Sequence, residues 1–493
     1  MNIVLFLKRH WLSIVSLVII IYLLTFFHFK GIIFYDEGYI LNSGVRIIHG
    51  QIPYRDFDIA YTPLTSVITS WFLFVFGESV FSGRLAAMAI SLLSLFAIFK
   101  ILQQITKNKY LIFMCLLFFI AWGPAHINFP WPTMFAICFL LYTLLFLLLG
   151  AKQKNISYFY YAGITTALTF LSKQNFGFGV FVACLIFFLF SYTYKNRSTI
   201  TGYLLGIGSI CLLTICVGIA TGSLFPFVNN LYIYTFKRIL IDKAIDTPFL
   251  YEGSWLTKLL KFILYTAPLT LSSIAFFVVR TSQKKLIIIP LFVGIFYFLG
   301  IRPTTDYNHL VPLLAICCLP LALIITTVKK GIFKTGFVFF LLCMTMLGLY
   351  TAYFKNYYKW ESPLSINTYF ADNSHLRIFI EKDKIKNIDA LTSYIDSHTK
   401  SDDNILVTIY SPMVYFLTNR ENPTRYDLIN PNDIPVSYQK DVIFELKKKN
   451  VPLVVETDVI SDKTSIIGKY IKVNYPVKKV VGGFIIFQKS STK

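Results

Sequence analysis

Apolar residues in this chain come in long blocks. A helix needs about 20 apolar residues to cross the hydrocarbon of a bilayer, and blocks near that length recur over the first 355 residues. They cover 11–28, 82–101, 110–123, 133–150, 157–173, 175–194, 200–221, 259–279, 286–301, 309–328 and 335–354. The pattern predicts about eleven crossings. A further run, 63–77, is apolar on most sides but short, and is expected at the interface or partway into the membrane. After residue 355 the pattern changes. Alternation and β-branched runs appear at 404–410, 452–456 and 482–488, and helical periodicity at 388–398 and 438–449. Strands alternating with helices predict a small α/β domain. The expected fold is thus a polytopic α-helical membrane domain over 1–355, with a polar loop at 29–81, followed by an α/β domain over 356–493.

Composition agrees with spans. The 493 residues are 56% hydrophobic and 14% charged, against about 25% charged in soluble domains. The net charge of +21 raises the question of nucleic acid, but the basic residues sit in short connections. Lys8/Arg9, Lys100/Lys107/Lys109, Lys152/Lys154, Lys195/Arg197, Arg280/Lys284/Lys285 and Lys329/Lys330/Lys334 fall at alternate loops. The positive-inside bias makes those loops cytoplasmic and accounts for the charge without nucleic acid. The N-terminus is then inside. The 29–81 loop, the HINFPWP turn, the Lys173 hairpin, the 222–258 loop, the Arg302–His309 loop and everything after 355 lie outside. Residues 11–28 follow a charged start like that of a secretory signal, but no small-residue cleavage site follows, and they read as a retained first helix. All eight cysteines fall in apolar runs, which argues against a disulfide framework or a zinc site.

Candidate chemistry gathers in the outer loops. The stretch FYDEGYILNSGVRIIHGQIPYRDFDIAYTPL carries the adjacent pair Asp36 and Glu37, with Arg46, His49, Arg55, Asp56 and Asp58 further on. It reads as a polar loop against the bilayer. A carboxylate beside low-dielectric lipid gains proton affinity and can act as a general base. Neighbouring carboxylates on a loop point different ways, which suggests divided roles; the alternative is a solvated acid pair. Lys173, in LSKQNFG, sits at an outer hairpin tip against the charge bias. It is either a snorkelling lysine or a cation for a lipid head group or phosphate. In RPTTDYNHL, Arg302 offers a phosphate fork, His309 a donor and Asp306 an orienting carboxylate, unless the segment is an ordinary capped turn. Arg84 opens the 82–101 span as an interface anchor or a phosphate contact. His126 and Trp131 could line a pocket or belong to an aromatic belt. NNLYIYTFKRILI reads as a surface-lying amphipathic helix carrying Lys237 and Arg238.

The chain lacks a Walker A sequence, a Rossmann glycine fingerprint and an HExxH motif. The order of its motifs resembles the glycosyltransferase-C superfamily: a first span, an outer loop opening on the acidic pair, then GESVFSGRL leading into the next helix. The nearest members are the bacterial protein O-mannosyltransferase and aminoarabinose-transferase-like families. LSKQNFG resembles their lysine-containing hairpin, RPTTDYNHLVPLL a segment of related membrane proteins, and YSPMVYFLTNRENPTRYD a recurrent element of their outer domains. The place of a lysine-proline-proline element in the lipid A-modifying branch reads AYTPL here, which leaves sugar and acceptor open.

The resemblance implies a polyprenyl-phosphate-linked sugar donor and transfer to a protein, lipid or glycan acceptor at the outer face of a bacterial plasma (inner) membrane. It implies Asp36 as catalytic base, with Glu37 supporting the site. A divalent metal, where one is used, would fall to Asp36 or Glu37. Lys173, Arg302, His309, Arg55 and Arg84 are implied as donor-phosphate contacts, with Asp306 and Tyr61 in support. A transporter or flippase of lipid-linked glycans would instead place charge at the membrane midplane, and a non-catalytic membrane protein would use the outer domain to bind partners.

Overall fold

A computed structural model describes residues 3–190, 197–232, 253–278, 307–329, 331–355, 364–409, 411–429, 435–457 and 465–489. The first part is helical. In chain order come α1 (Ile3–His28), α2 (Asp36–Ile48), α3 (Leu64–Phe76), α4 (Val80–Ile105), α5 (Lys109–Trp122), α6 (Pro132–Gln153), α7 (Ile156–Ser172), α8 (Gln174–Phe190), α9 (Arg197–Thr221) and α10 (Leu224–Tyr232). Then follow α11 (Trp255–Val278), α12 (Tyr307–Ile316), α13 (Cys318–Thr327) and α14 (Ile332–Phe354). Among the described residues five helical stretches are long and apolar enough to cross a membrane: α4, α6, α9, Leu310–Thr327 and α14. The bent α11 makes a sixth if it counts as one span. Ser13–His28, Leu64–Phe76, Lys109–Trp122 and Gln174–Ile186 are shorter apolar helices. The protein is a polytopic membrane protein in this sense. The predicted span 286–301 and the charged half of the 222–258 loop, with Lys237 and Arg238, lie outside the described residues.

Local chemistry sets the helix ends. Ser79 caps α4 by accepting from the Ser82 N–H, Asn108 caps α5 and Asn155 caps α7, while Pro132 opens α6. α7 and α9 touch backbone to backbone. A side chain at Gly163 would meet the Tyr203 carbonyl, and one at Gly206 the Tyr160 carbonyl, the close approach that small residues allow between membrane helices. Cys317 and Cys318 are buried in helix packing, whereas Cys211, Cys216 and Cys343 are exposed.

The α/β part has the predicted strands, with additions. Tyr369–Phe370 (β1) pairs antiparallel with Phe379–Ile380 (β2). α15 (Lys382–His398), β3 (Ile405–Thr408), α16 (Met413–Thr418), α17 (Val436–Lys448), β4 (Leu453–Glu456), α18 (Ile466–Asn474), β5 (Val477–Val481) and β6 (Phe484–Gln488) follow. The second sheet has the order β3-β4-β6-β5. β3 and β4 are parallel, joined by a crossover through α16 and α17, and the other pairs are antiparallel. β5, VKKVV, was not expected. It is an exposed edge strand, and its two lysines break the hydrophobic signal.

One expectation is corrected here. The stretch after α1 is not a polar loop over its first half. It is α2, buried along most of its length, including Glu37, Asn42 and Arg46. Its burial has two sources. α3 packs on one side, with Leu73 and Ser70 against Gly44. The α/β part packs on the other, so closely that a side chain on Gly38 would collide with the backbone of Met413. Backbone bonds stitch the same seam: Gly31 donates to the Phe379 carbonyl (2.9 Å), Val80 to His375 (2.8 Å) and Asp58 to Arg425 (2.9 Å). Arg46, buried, pairs with Asp427 at 2.6 Å and donates to the Thr424 carbonyl.

A second correction concerns Glu37 and Arg84. Both side chains are fully enclosed and face each other. Arg84 Nε donates to Glu37 Oε1, and Nη2 to Oε2 at 2.7 Å. The remaining guanidinium bonds go to the carbonyls of His28 (3.0 Å) and Gly31 (3.3 Å), and Glu37 Oε2 also accepts from the Ile33 N–H (3.0 Å). Arg84 is therefore neither an interface anchor nor a phosphate contact. The pair ties the end of α1, the start of α2 and the start of α4 into one knot.

Removing one partner leaves the other charge enclosed, which typically costs about 3–5 kcal/mol. Arg84→Met is expected to lower the thermal inactivation midpoint of the detergent-solubilised protein sharply, and the double variant Glu37→Leu/Arg84→Met to recover most of that loss. A double variant no better than the single one would show that the pair is not the knot. Gly38→Ala is expected to loosen the α/β part from α2, read as faster amide exchange over Met413–Thr418 with exchange in α6 unchanged.

Candidate active site

Helix ends converge at one end of the bundle. Asn128, in the turn between α5 and α6, donates to the carbonyls of Phe27 (2.7 Å) and Lys30 (3.0 Å) at the end of α1. Lys30 lies over the Tyr353 ring near the end of α14. Arg55 donates to the Thr221 carbonyl, the last residue of α9. At the opposite end, Lys152 in the last turn of α6 reaches Gln104 near the end of α4 (3.0 Å). The loops expected on the outside and described here therefore share one end, and the lysine-rich connections between α4 and α7 meet at the other.

The segment Ala60–Thr62 bridges the acidic helix to the lysine hairpin. On the α2 side, Tyr39 Oη accepts from the Ala60 N–H at 2.7 Å. On the hairpin side, Thr62 Oγ1 donates to the Phe170 carbonyl (2.7 Å), and Gln174 Nε2 to the Ala60 carbonyl (3.3 Å). Tyr54 Oη donates to the Tyr61 carbonyl at 2.6 Å. With its backbone held in this way, Tyr61 sets its ring beside Trp131, with 5.6 Å between centroids.

Lys173 ends α7 in extended conformation, its N–H bonded to the Thr169 carbonyl. It does not snorkel to an exposed tip, since only 4% of the residue is exposed. Its Nζ donates to Thr133 Oγ1 at 2.7 Å and lies over the rings of Tyr61 (5.6 Å) and Trp131 (5.7 Å). A hydroxyl and two aromatic faces thus hold an enclosed ammonium, an arrangement in which cation–π attraction is strong because water is excluded. Thr133 and Gln174 were not singled out in the sequence. Gln174 is part of LSKQ, but threonines are common in apolar helices, and nothing marked Thr133.

Asp36 is the first residue of α2, half-buried. Successive helical residues are about 100° apart, so the inward setting of Glu37 turns Asp36 away from the knot. Of the other expected residues, Arg55 is exposed and pairs with Asp56 at 2.8 Å. That bond holds the Asp56 carboxyl below its ordinary range. Asp58 pairs with Arg425 at 2.7 Å, although burial pushes its carboxyl up. His49 lies between Glu78 (3.4 Å) and Glu421 (3.9 Å). Arg302 and Asp306 lie outside the described residues. His309 falls in α12, with its side chain outside them. His126 packs on Trp122 and bonds the Gly348 carbonyl, so it braces α14 rather than lining this site.

Of the two carboxylates to which a metal would fall, Asp36 and Glu37, Glu37 is already engaged. Both Glu37 oxygens are taken by Arg84 and the Ile33 N–H, and no group of three or more candidate ligands occurs among the described residues.

A family model described as dolichyl-phosphate-mannose-protein mannosyltransferase matches residues 60–219, a segment that runs from the Ala60 bridge through Thr133 and Lys173. ArnT from Cupriavidus metallidurans bound to undecaprenyl phosphate has a similar fold, with a TM-score of 0.63 at 11% identity over 98% of this chain and 99% of that one. Its apo form gives 0.60 at 11% identity over 97% and 98%. No curated protein matches in sequence. Over residues 60–219 this chain is similar to the dolichyl-phosphate-mannose-protein mannosyltransferase family, and over nearly its full length its fold is similar to that of ArnT.

Proposed function

We propose that this protein is a multi-pass membrane glycosyltransferase that moves a sugar from a polyprenyl-phosphate donor to an acceptor at the outer face of the bacterial plasma membrane. The observation that carries this reading is the enclosed ammonium of Lys173 among Thr133, Tyr61 and Trp131. Lys173 stands at the end of the bundle where the expected outer loops meet, within the segment that the family model matches, and in this reading its ammonium contacts the donor phosphate. The fold shared with ArnT, crystallised with undecaprenyl phosphate, supports the donor class.

Asp36 is the general base in this scheme. It takes the proton from the acceptor nucleophile as that atom bonds to the anomeric carbon. The bond from the anomeric carbon to the phosphate oxygen breaks, and the electron pair leaves with the polyprenyl phosphate. Lys173 stabilises the charge that builds on the leaving oxygen. Arg302 and His309 are the further phosphate contacts, with Asp306 orienting them and Tyr61 shaping the lysine cage. Arg55 contributes only if its bond to Asp56 opens. A single displacement inverts the anomeric centre. In this reading the chain makes about eleven crossings with its N-terminus inside, and 356–493 is an outer domain. A flippase finds less support, because the site described is at one end of the bundle and not at its middle.

A transfer assay with a polyprenyl-phosphate sugar tests both roles. Asp36→Asn is expected to lower kcat by about a hundred- to ten-thousand-fold with donor KM little changed, and full retained activity would remove Asp36 as the base. Lys173→Ala is expected to lower kcat/KM by about a hundredfold, through both constants. Product analysis should show an inverted anomeric centre; a retained one would exclude single displacement.

A further inference from the structure

The seam between α2 and the α/β part does not close completely. A cavity of about 510 Å³ remains, lined on one side by the end of α2 and the turns after it, and on the other by the 422–426 segment and α17. Tyr61, Thr133 and Lys173 are not among its lining residues, so it is separate from the lysine cage.

The charges on its wall balance. Arg46, Arg425 and Lys449 face it, and so do Asp56, Asp441 and Glu445. Several are already committed: Arg46 to Asp427, Arg425 to Asp58 and Asp56 to Arg55. An anionic ligand would meet three carboxylates there, and a cationic one three bases. A neutral polyol suits such a wall, because each hydroxyl both donates and accepts.

Two aromatic rings complete the wall. Tyr426 is stacked on Tyr438, with centroids 4.8 Å apart and planes at 17°, and its Oη donates to Asp441 Oδ2 at 3.3 Å. Phe444 is 62% exposed. α17 buries Gln439, Val442 and Leu446, so Phe444 is not needed to hold the helix down. Single exposed apolar residues are ordinary, but this one opens onto a polar cavity beside a braced tyrosine. Such a surface takes the C–H face of a sugar ring while fixed polar groups take its hydroxyls.

We infer that this cavity binds a neutral oligosaccharide, the acceptor chain of the transfer reaction. The inference rests on the glycosyltransferase reading for the word acceptor, though not for the binding itself. Arg46 lies ten residues along α2 from Asp36, about 15 Å at the helical rise. One ligand touching both places must therefore be longer than a single monosaccharide.

The test uses the full-length protein in nanodiscs on an array of neutral, phosphorylated and sulfated oligosaccharides. Neutral oligosaccharides are expected to be retained, and Phe444→Ala and Asp441→Ala, both exposed positions, each to weaken that retention about tenfold with thermal midpoints unchanged. Retention of anionic glycans only, equal retention by the two cavity variants, or no retention at all would overturn the site. Transfer without glycan binding would fault this site alone, and glycan binding without transfer would fault the enzymatic reading alone.

Discussion

A charge that cannot reach water has to be matched where it lies. Glu37 and Arg84 meet that demand on each other and on the carbonyls exposed where α1 ends. Coulomb attraction between enclosed charges is large, but so is the cost of removing them from water, and such pairs are weak sources of net stability. What the pair provides is register. It admits one relative placement of three helix ends, and that placement sets which way the neighbouring Asp36 points. The setting of Asp36, the proposed base, is thus a by-product of its enclosed neighbour.

The α/β part acts on the same helix from the other side. α16 lies on Gly38 with no room for a methyl group, and Asp427 holds Arg46 in the last turn of α2. The element YSPMVYFLTNRENPTRYD therefore has a physical explanation. Its first half covers the start of the acidic helix, and its second half neutralises a buried arginine near the end. The α/β part thus belongs to the framework of the candidate site.

Much of this was legible in the chain and some was not. Apolar blocks located the helices from α4 to α9, because each crossing must satisfy its own backbone. Period-two runs located β3, β4 and β6. The acidic pair and LSKQNFG lie at the end of the bundle where the described outer-loop segments meet. What the sequence did not show is which of their charges are enclosed. Glu37 and Arg84 lie 47 residues apart, and a single sequence does not show that two such charges cancel. α2 reads as a loop because Asn42, Ser43 and Arg46 look solvated until α3 and the α/β part bury the helix. The cage around Lys173 depends on Thr133, 40 residues earlier, whose hydroxyl is indistinguishable in sequence from those that merely bond their own helix.

The ion pairs also differ in when they can form. Arg84 follows Glu37 after 47 residues, whereas Asp427 follows Arg46 only after 381. At ordinary rates of chain elongation that second interval lasts about 20 to 80 seconds. Through that time α2 is pinned at its beginning and open along its side, with a buried-type arginine still waiting for its carboxylate. A ribosome that stops early leaves a bundle with most of its helices and an unroofed acidic helix. Synthesis of the 411–427 segment supplies that carboxylate and covers the acidic helix.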